Sequence, residues 1–150
     1  VIEYISMDLK QDELQFHNPL HRRILAEAES HLHDQNFTAE RYFLAHPDPT
    51  ISKLAAEMIN DRYQLSKYHS KSQKIVTDEE RLHELVPHQI IDFKLAILEE
   101  EMKHTLQALS KPEVTQDANK CLEIMAHYKE LSELLKEMAK RAGDRVVLKA

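Results

Sequence analysis

Glycine is almost absent from this chain: Gly143 is the only one among its 150 residues. Tight hairpins, phosphate-binding loops and nucleophile elbows use glycine because it adopts positive φ angles at little steric cost. The chain contains no Walker loop, no GxGxxG turn and no GxSxG elbow. This pattern excludes the common nucleotide-binding and hydrolase motifs, and it favours an all-helical interaction module.

Composition and charge narrow the range of partners. Hydrophobic residues make up 42% of the chain and charged residues 31%, which is typical of a folded helical domain rather than a disordered segment. The formal net charge is -6, so the chain lacks the basic surplus with which proteins neutralise nucleic-acid phosphates. We therefore do not expect nucleic acid to be the primary partner.

The sequence also bears on the cellular compartment. Cys121 is the only cysteine, so no disulfide can form within the chain. No apolar run reaches the length of a membrane-spanning helix, and the first residues show no signal-peptide pattern. We expect a cytoplasmic protein without a membrane partner. The start at Val1 leads us to expect a domain from a longer protein.

Proline and helix-capping residues divide the first part of the chain. Asn18 and Asp48 each stand directly before a proline, which is the pattern of an N-cap followed by the first helical residue. Both positions therefore predict helix starts. Apolar residues between positions 4 and 14 predict an earlier helix that ends before Phe16. A short helix is expected after Thr38, ending before the next proline.

Residues 63–75 are polar and weakly patterned, and we interpret them as a partly helical connector. Thr77 and Glu80 then form a capping-box pattern, which predicts another helix start. Pro87 is expected to end or bend that helix, because proline lacks a backbone N–H and its ring clashes with the preceding turn. Residues 1–86 are therefore predicted to form a helical bundle subdomain.

Residues 87–150 are predicted to form a second subdomain, a long antiparallel helical hairpin with helices at about 88–109 and 113–142. Apolar residues recur three and four positions apart in both segments, which is the spacing of one helix face. The two stripes are Ile91, Leu95, Leu98, Met102, Thr105 and Leu109 in the first segment, and Cys121, Ile124, Tyr128, Leu131, Leu135, Met138 and Ala142 in the second. The predicted fold class is all-α.

The connection between the two hairpin helices is predicted to be short. Ser110 and Glu113 form a capping-box pattern around Pro112, only a few residues after the first stripe ends. Such a short connection makes neighbouring helices antiparallel. Gly143 is expected to end the second helix in the left-handed conformation.

Each hairpin helix also carries apolar residues outside its stripe. Ile90 and Ile97 lie off the first stripe, and Leu122, Met125 and Leu134 lie off the second. These residues give each helix a second, partial apolar seam, which we expect to be covered. An exposed apolar patch on a helix pair is a natural docking surface. The bundle and another protein are the two candidates for this role.

Two Glu-x-x-His patterns call for a metal hypothesis. Glu80 with His83 and Glu101 with His104 have the spacing that places two ligands of a carboxylate-bridged di-iron site on one helical face. Such a site also needs glutamates from two further long helices, and Pro87 follows the first pattern by one turn. A ferritin-like di-iron protein is therefore the alternative hypothesis. No set of residues predicts catalysis, and no cofactor is expected.

Three segments carry a resemblance to a known family. They are FHNPLHRRIL (residues 16–25), FLAHPDPTISKLA (43–55) and YQLSK (63–67). They resemble the C-terminal helicase-binding domain of bacterial DnaG-type DNA primase. The order of parts, a helical bundle followed by a terminal hairpin, is similar too, and the resemblance extends from Tyr4 to about Val147.

The resemblance implies a non-catalytic domain that binds the N-terminal domain of the replicative hexameric helicase and docks the primase there for primer synthesis. It implies that the terminal hairpin is the main contact and that the bundle makes a second contact that modulates the helicase. The distal hairpin would offer the partner-binding residues Tyr128, Leu131, Leu134, Leu135, Met138 and Arg141. The zinc-binding and polymerase domains of the primase would lie outside this chain.

Overall fold

A computed structural model describes residues 1–69 and 81–143 of the protein. Within these ranges it contains seven α-helices and no β-strand, which confirms the all-α prediction. The helices are α1 (Ile2–Gln11), α2 (Pro19–Ser30), α3 (Ala39–Leu44), α4 (Pro49–His69), α5 (Leu82–Leu109), α6 (Pro112–Thr115) and α7 (Ala118–Ala142). None of the described helices is both long and apolar enough to cross a membrane.

The chain divides into two compact units, Val1–His83 and Glu84–Ala150. In the first unit, α1 packs on α2 and α3 packs on α4. Ala28, Phe43 and Ile51 form the buried core of this unit, and Ile51 is completely buried. Since burying one large aliphatic side chain contributes about 1.5–3 kcal/mol, Ile51 is a principal anchor of α4.

The predicted caps of α2 and α4 are confirmed. Oδ1 of Asn18 accepts a hydrogen bond from the backbone N–H of Leu20 at 2.9 Å. Oδ1 of Asp48 accepts one from the backbone N–H of Thr50 at 2.9 Å. Each carboxamide or carboxylate oxygen satisfies an N–H group that the first helical turn leaves without a backbone partner.

The first helix ends before Phe16, as predicted, but Leu14 lies beyond its end. α1 stops at Gln11, and Glu13 adopts a φ of 54°, the left-handed region that non-glycine residues seldom occupy. The backbone N–H of Leu14 donates to Leu9 O at 2.9 Å, and that of Glu13 donates to Lys10 O at 3.2 Å. This pair of bonds is a Schellman motif, in which Glu13 occupies the position that glycine usually takes.

Two further predictions concern the middle of the chain, where residues 63–75 were expected to be a partly helical connector. α4 extends to His69, so the first part of the expected connector is regular helix, whereas residues 70–75 lie outside the described residues. The capping-box residues Thr77 and Glu80 also lie outside them.

Pro87 does not end a helix but lies inside α5. This helix begins at Leu82 rather than at about residue 88. Proline removes only one backbone donor, its own N–H. The helix continues past Pro87 because Ile90, Leu95 and Leu98, which follow it in the sequence, are buried. This burial outweighs the loss of one backbone hydrogen bond near the helix start.

The second hairpin helix starts later than predicted. Residues Pro112–Thr115 form the separate short helix α6, and the Ser110 hydroxyl donates to Gln107 O at 2.7 Å instead of capping a helix. α7 begins after Asp117, whose Oδ1 accepts hydrogen bonds from the backbone N–H groups of Asn119 (3.1 Å) and Lys120 (3.3 Å). The hairpin helices therefore span 82–109 and 118–142.

Gly143 ends α7, as predicted, but not in the left-handed helical conformation. Its φ is 70° and its ψ is -155°, and its N–H donates to Lys140 O. This combination of angles is accessible essentially to glycine alone. The single glycine thus lies at a position whose backbone requires it.

Candidate protein-interaction surface

The second unit is built on the antiparallel pair α5 and α7. Nε2 of His127 on α7 lies 3.2 Å from Oε1 of Glu101 on α5, which joins the two helices near the hairpin connection. His104 and Glu123 line the same groove between them. The first stripe is largely inside: Leu95 and Leu98 are buried.

The six predicted partner-binding residues divide by exposure. Leu131 is buried, so its side chain is committed to packing within the protein. Tyr128, Leu135 and Met138 are half-buried, and only Leu134 and Arg141 are exposed. The guanidinium of Arg141 donates to Glu137 Oε1 at 2.9 Å. The six residues therefore comprise one buried, three half-buried and two exposed side chains, and the two exposed ones lie off the main stripe.

The apolar residues of the second seams differ in exposure between the two helices. On α5, Ile90 is buried and Ile97 is half-buried. On α7, Leu122 and Met125 remain 65% and 54% exposed, and Leu134 is exposed as well. Of the two second seams, the one on α7 therefore remains uncovered, while Leu106 of α5 is 50% exposed as well. Sequence spacing identified the seam residues but did not show which seam would remain uncovered.

A connected polar network in the first unit is the other candidate site. Nε2 of His46 lies 2.8 Å from Oε2 of Glu27, and the Tyr42 hydroxyl donates to the same oxygen at 3.3 Å. Arg23 joins the network by donating to Glu27 Oε1 at 2.9 Å and to Asp48 Oδ2 at 2.6 Å. The network connects α2 with α3 and with the start of α4.

Hydrogen bonds within this network lower the pKa values of two of its carboxyl groups. Burial raises the pKa of Glu27, but the hydrogen bonds from His46 and Arg23 outweigh it and leave the pKa below its ordinary value of 4.5. The hydroxyl and backbone N–H of Thr50, together with Arg23, lower the pKa of Asp48 from 3.8 to about 2. The His46 side chain is only 5% exposed, and its contact with Glu27 links α2 to the segment between α3 and α4.

Only part of the residue set in the di-iron hypothesis lies within the described residues. Glu101 and His104 are both exposed, and Glu101 is engaged by His127. Glu80 lies outside the described residues. Among the described side chains, those of residues 1–60 and 81–143, no three of His, Cys, Asp or Glu are grouped so that they could hold a metal ion.

Comparison with known proteins adds one family match. The model of a family described as a domain of unknown function (DUF8430) matches residues 1–146. No curated protein and no solved structure is significantly similar to the chain.

Proposed function

The chain belongs to the DUF8430 family of domains of unknown function, and we propose that it is a helicase-binding domain that docks a bacterial DNA primase onto the N-terminal domain of the replicative hexameric helicase. The observation that carries this proposal is the α5–α7 hairpin with apolar side chains that the chain itself leaves exposed on α7. Such a surface fits protein binding better than it fits catalysis.

Two further features support the proposal. The chain consists of a helical unit followed by a unit built on a long hairpin, which is the order of parts in the domain that it resembles. The segment at residues 43–55, which carries much of the resemblance, supplies Phe43 and Ile51 to the core of the first unit. The resemblance therefore involves residues on which the fold depends.

The mechanism is tethering. A domain that holds the primase on the helicase raises the effective concentration of the enzyme near freshly unwound template, and it needs no active site of its own. The primer-forming chemistry would reside in other domains of the primase. In this role the chain requires no cofactor, and its principal partner is a protein rather than nucleic acid.

Calorimetric titration of the 150-residue chain with the helicase N-terminal domain tests the proposal. We expect saturable, reversible binding, and weaker binding for Arg141→Glu, an exposed change that leaves the core intact. Lys53→Glu, in the first unit and also exposed, is the charge-matched control. Absence of binding by the unmodified chain would refute the proposal. A stoichiometric transition metal in the purified chain would instead favour the ferritin-like alternative.

A further inference from the structure

The solvent-facing side of α7 carries a continuous row of exposed side chains, which we call the outer α7 face. It consists of Leu122, Met125, Lys129, Lys136 and Lys140, all of them exposed. Successive members are three, four, seven and four positions apart, so they lie on one side of the helix. The row covers about 27 Å of helix axis at a rise of about 1.5 Å per residue.

The charge of the outer α7 face is opposite to that of the chain. Three lysines are accompanied by one carboxylate, Glu133, whereas the chain as a whole carries a net charge of -6. Within the described residues, Lys129, Lys136 and Lys140 form no ion pair, unlike neighbouring Arg141, which pairs with Glu137. The chain thus presents unneutralised positive charge beside exposed apolar side chains.

We infer that the outer α7 face docks an amphipathic helix whose apolar side chains contact Leu122 and Met125 and whose carboxylates pair with the three lysines. Because the residues of the outer α7 face are spaced along one side of a helix, a partner helix of similar length can contact all of them. The lysine stems cover apolar surface while their ammonium groups reach carboxylates at the rim. This inference rests on the proposed function, under which the docked helix belongs to the helicase N-terminal domain.

The outer α7 face differs from the set of partner-binding residues that the resemblance implies. Leu134 lies twelve positions after Leu122, about 120° further round the helix, and Leu131 is buried. The face also differs from a nucleic-acid site, because its two apolar side chains and Glu133 offer nothing to a phosphate backbone. The combination of apolar and unpaired basic residues favours an acidic amphipathic helix.

Two sets of substitutions test the inference by calorimetry with the helicase N-terminal domain. The apolar set is Leu122→Ser with Met125→Ser, and the charge set is Lys129→Glu with Lys136→Glu and Lys140→Glu. We expect each set to weaken binding by at least about tenfold, as for residues at the centre of an interface. Raising the salt concentration from about 50 to about 500 mM should weaken binding of the unmodified chain and have little effect on the charge set.

Matched controls keep the result specific. Met7→Ser with Met58→Ser replaces side chains that are 65% and 59% exposed elsewhere. Lys53→Glu with Lys103→Glu and Lys111→Glu makes the same change in net charge at other exposed positions. We expect both controls to bind within about twofold of the unmodified chain. Circular dichroism and thermal unfolding of every variant verify that its helices are intact.

Each contrary outcome has a distinct meaning. If the unmodified chain binds the helicase domain and both outer-face sets bind equally well, the inference is wrong while the proposed function stands. If the unmodified chain does not bind, both are wrong. If the chain binds a labelled single-stranded oligonucleotide and the charge set abolishes that binding, the lysines serve nucleic acid, and the inference is overturned.

Discussion

Nδ1 of His46 accepts a hydrogen bond from the backbone N–H of Asp48 at 3.0 Å. Because a backbone N–H can only donate, this contact places the imidazole hydrogen on Nε2, from which it is donated to Glu27 Oε2. One neutral imidazole therefore connects α2 to the residue that caps α4.

Replacing His46 should destabilise the first unit. We expect His46→Ala to lower the free energy of unfolding by about 1–3 kcal/mol, since the change leaves partly buried hydrogen-bonding groups without their partner. Urea unfolding followed by circular dichroism measures the effect. His33→Ala, at an exposed position, is the control and should change stability by less than about 0.5 kcal/mol. Equal effects of the two substitutions would show that the network contributes nothing.

Acid should weaken the Asp48 cap over a defined interval of pH. The folded-state pKa of Asp48 is about 2, below its ordinary value of 3.8. A lowered folded-state pKa means that the charged carboxylate stabilises the fold above pH 3.8, and that this stabilisation disappears as the pH falls towards 2. Thermal unfolding of the wild type and Asp48→Asn across this interval should show a smaller pH dependence for the variant. Parallel curves would contradict this assignment.

Ile51 should be the most sensitive position of α4. Its side chain is fully buried in the core with Phe43 and Ala28, so Ile51→Ala leaves a cavity as well as removing apolar contacts. We expect a loss of about 2–5 kcal/mol. Met58→Ala, on the exposed side of the same helix, should cost less than about 0.5 kcal/mol in the same urea experiment. A small effect of Ile51→Ala would place the core elsewhere.

The end of α1 offers a stabilising substitution. Glu13 holds a φ of 54°, so Glu13→Gly removes the steric cost of the left-handed conformation. We expect a gain of about 0.5–1 kcal/mol in the free energy of unfolding. Glu3→Gly, inside the same helix, should instead destabilise by about 1 kcal/mol. A loss of stability at Glu13 would indicate that its backbone is not left-handed in solution.

The start of α7 can be tested by removing its cap. Asp117→Ala should cost about 1 kcal/mol, because Asp117 Oδ1 accepts hydrogen bonds from two N–H groups of the first turn. Ser110→Ala should cost less than about 0.5 kcal/mol, since the Ser110 hydroxyl caps no helix start. Thermal unfolding distinguishes the two, and the reverse order of effects would restore the helix start at residue 113.

Local chemistry explains which parts of the fold were predictable. Asn18 and Asp48 mark their helix starts because a capping side chain bonds to N–H groups only two or three residues away. The end of α1 was not predictable in this way, because Glu13 fills a glycine position without any compositional signal. The prediction that a hairpin helix starts after Pro87 was wrong, because burial of residues further along α5 decides whether the helix continues.

The candidate surface was only partly predictable for a related reason. Apolar spacing shows which side chains share a face of α7, and it separated Leu122 and Met125 from the main stripe. It does not show how much of each face the rest of the chain covers, so Leu131 was assigned to a partner although it is buried. The absence of ion pairs at Lys129, Lys136 and Lys140, within the part of the chain that the structure describes, depends on side-chain geometry rather than on spacing.

The outer α7 face has its two kinds of contact at opposite ends. Leu122 and Met125 lie near the hairpin connection, and the lysines follow towards the end of the helix. A helix that is apolar at one end and acidic at the other matches this arrangement in one orientation and mismatches it when reversed. Under the inferred docking, the surface would therefore accept a partner helix in one direction only, and that direction would set the orientation of the whole hairpin relative to the partner.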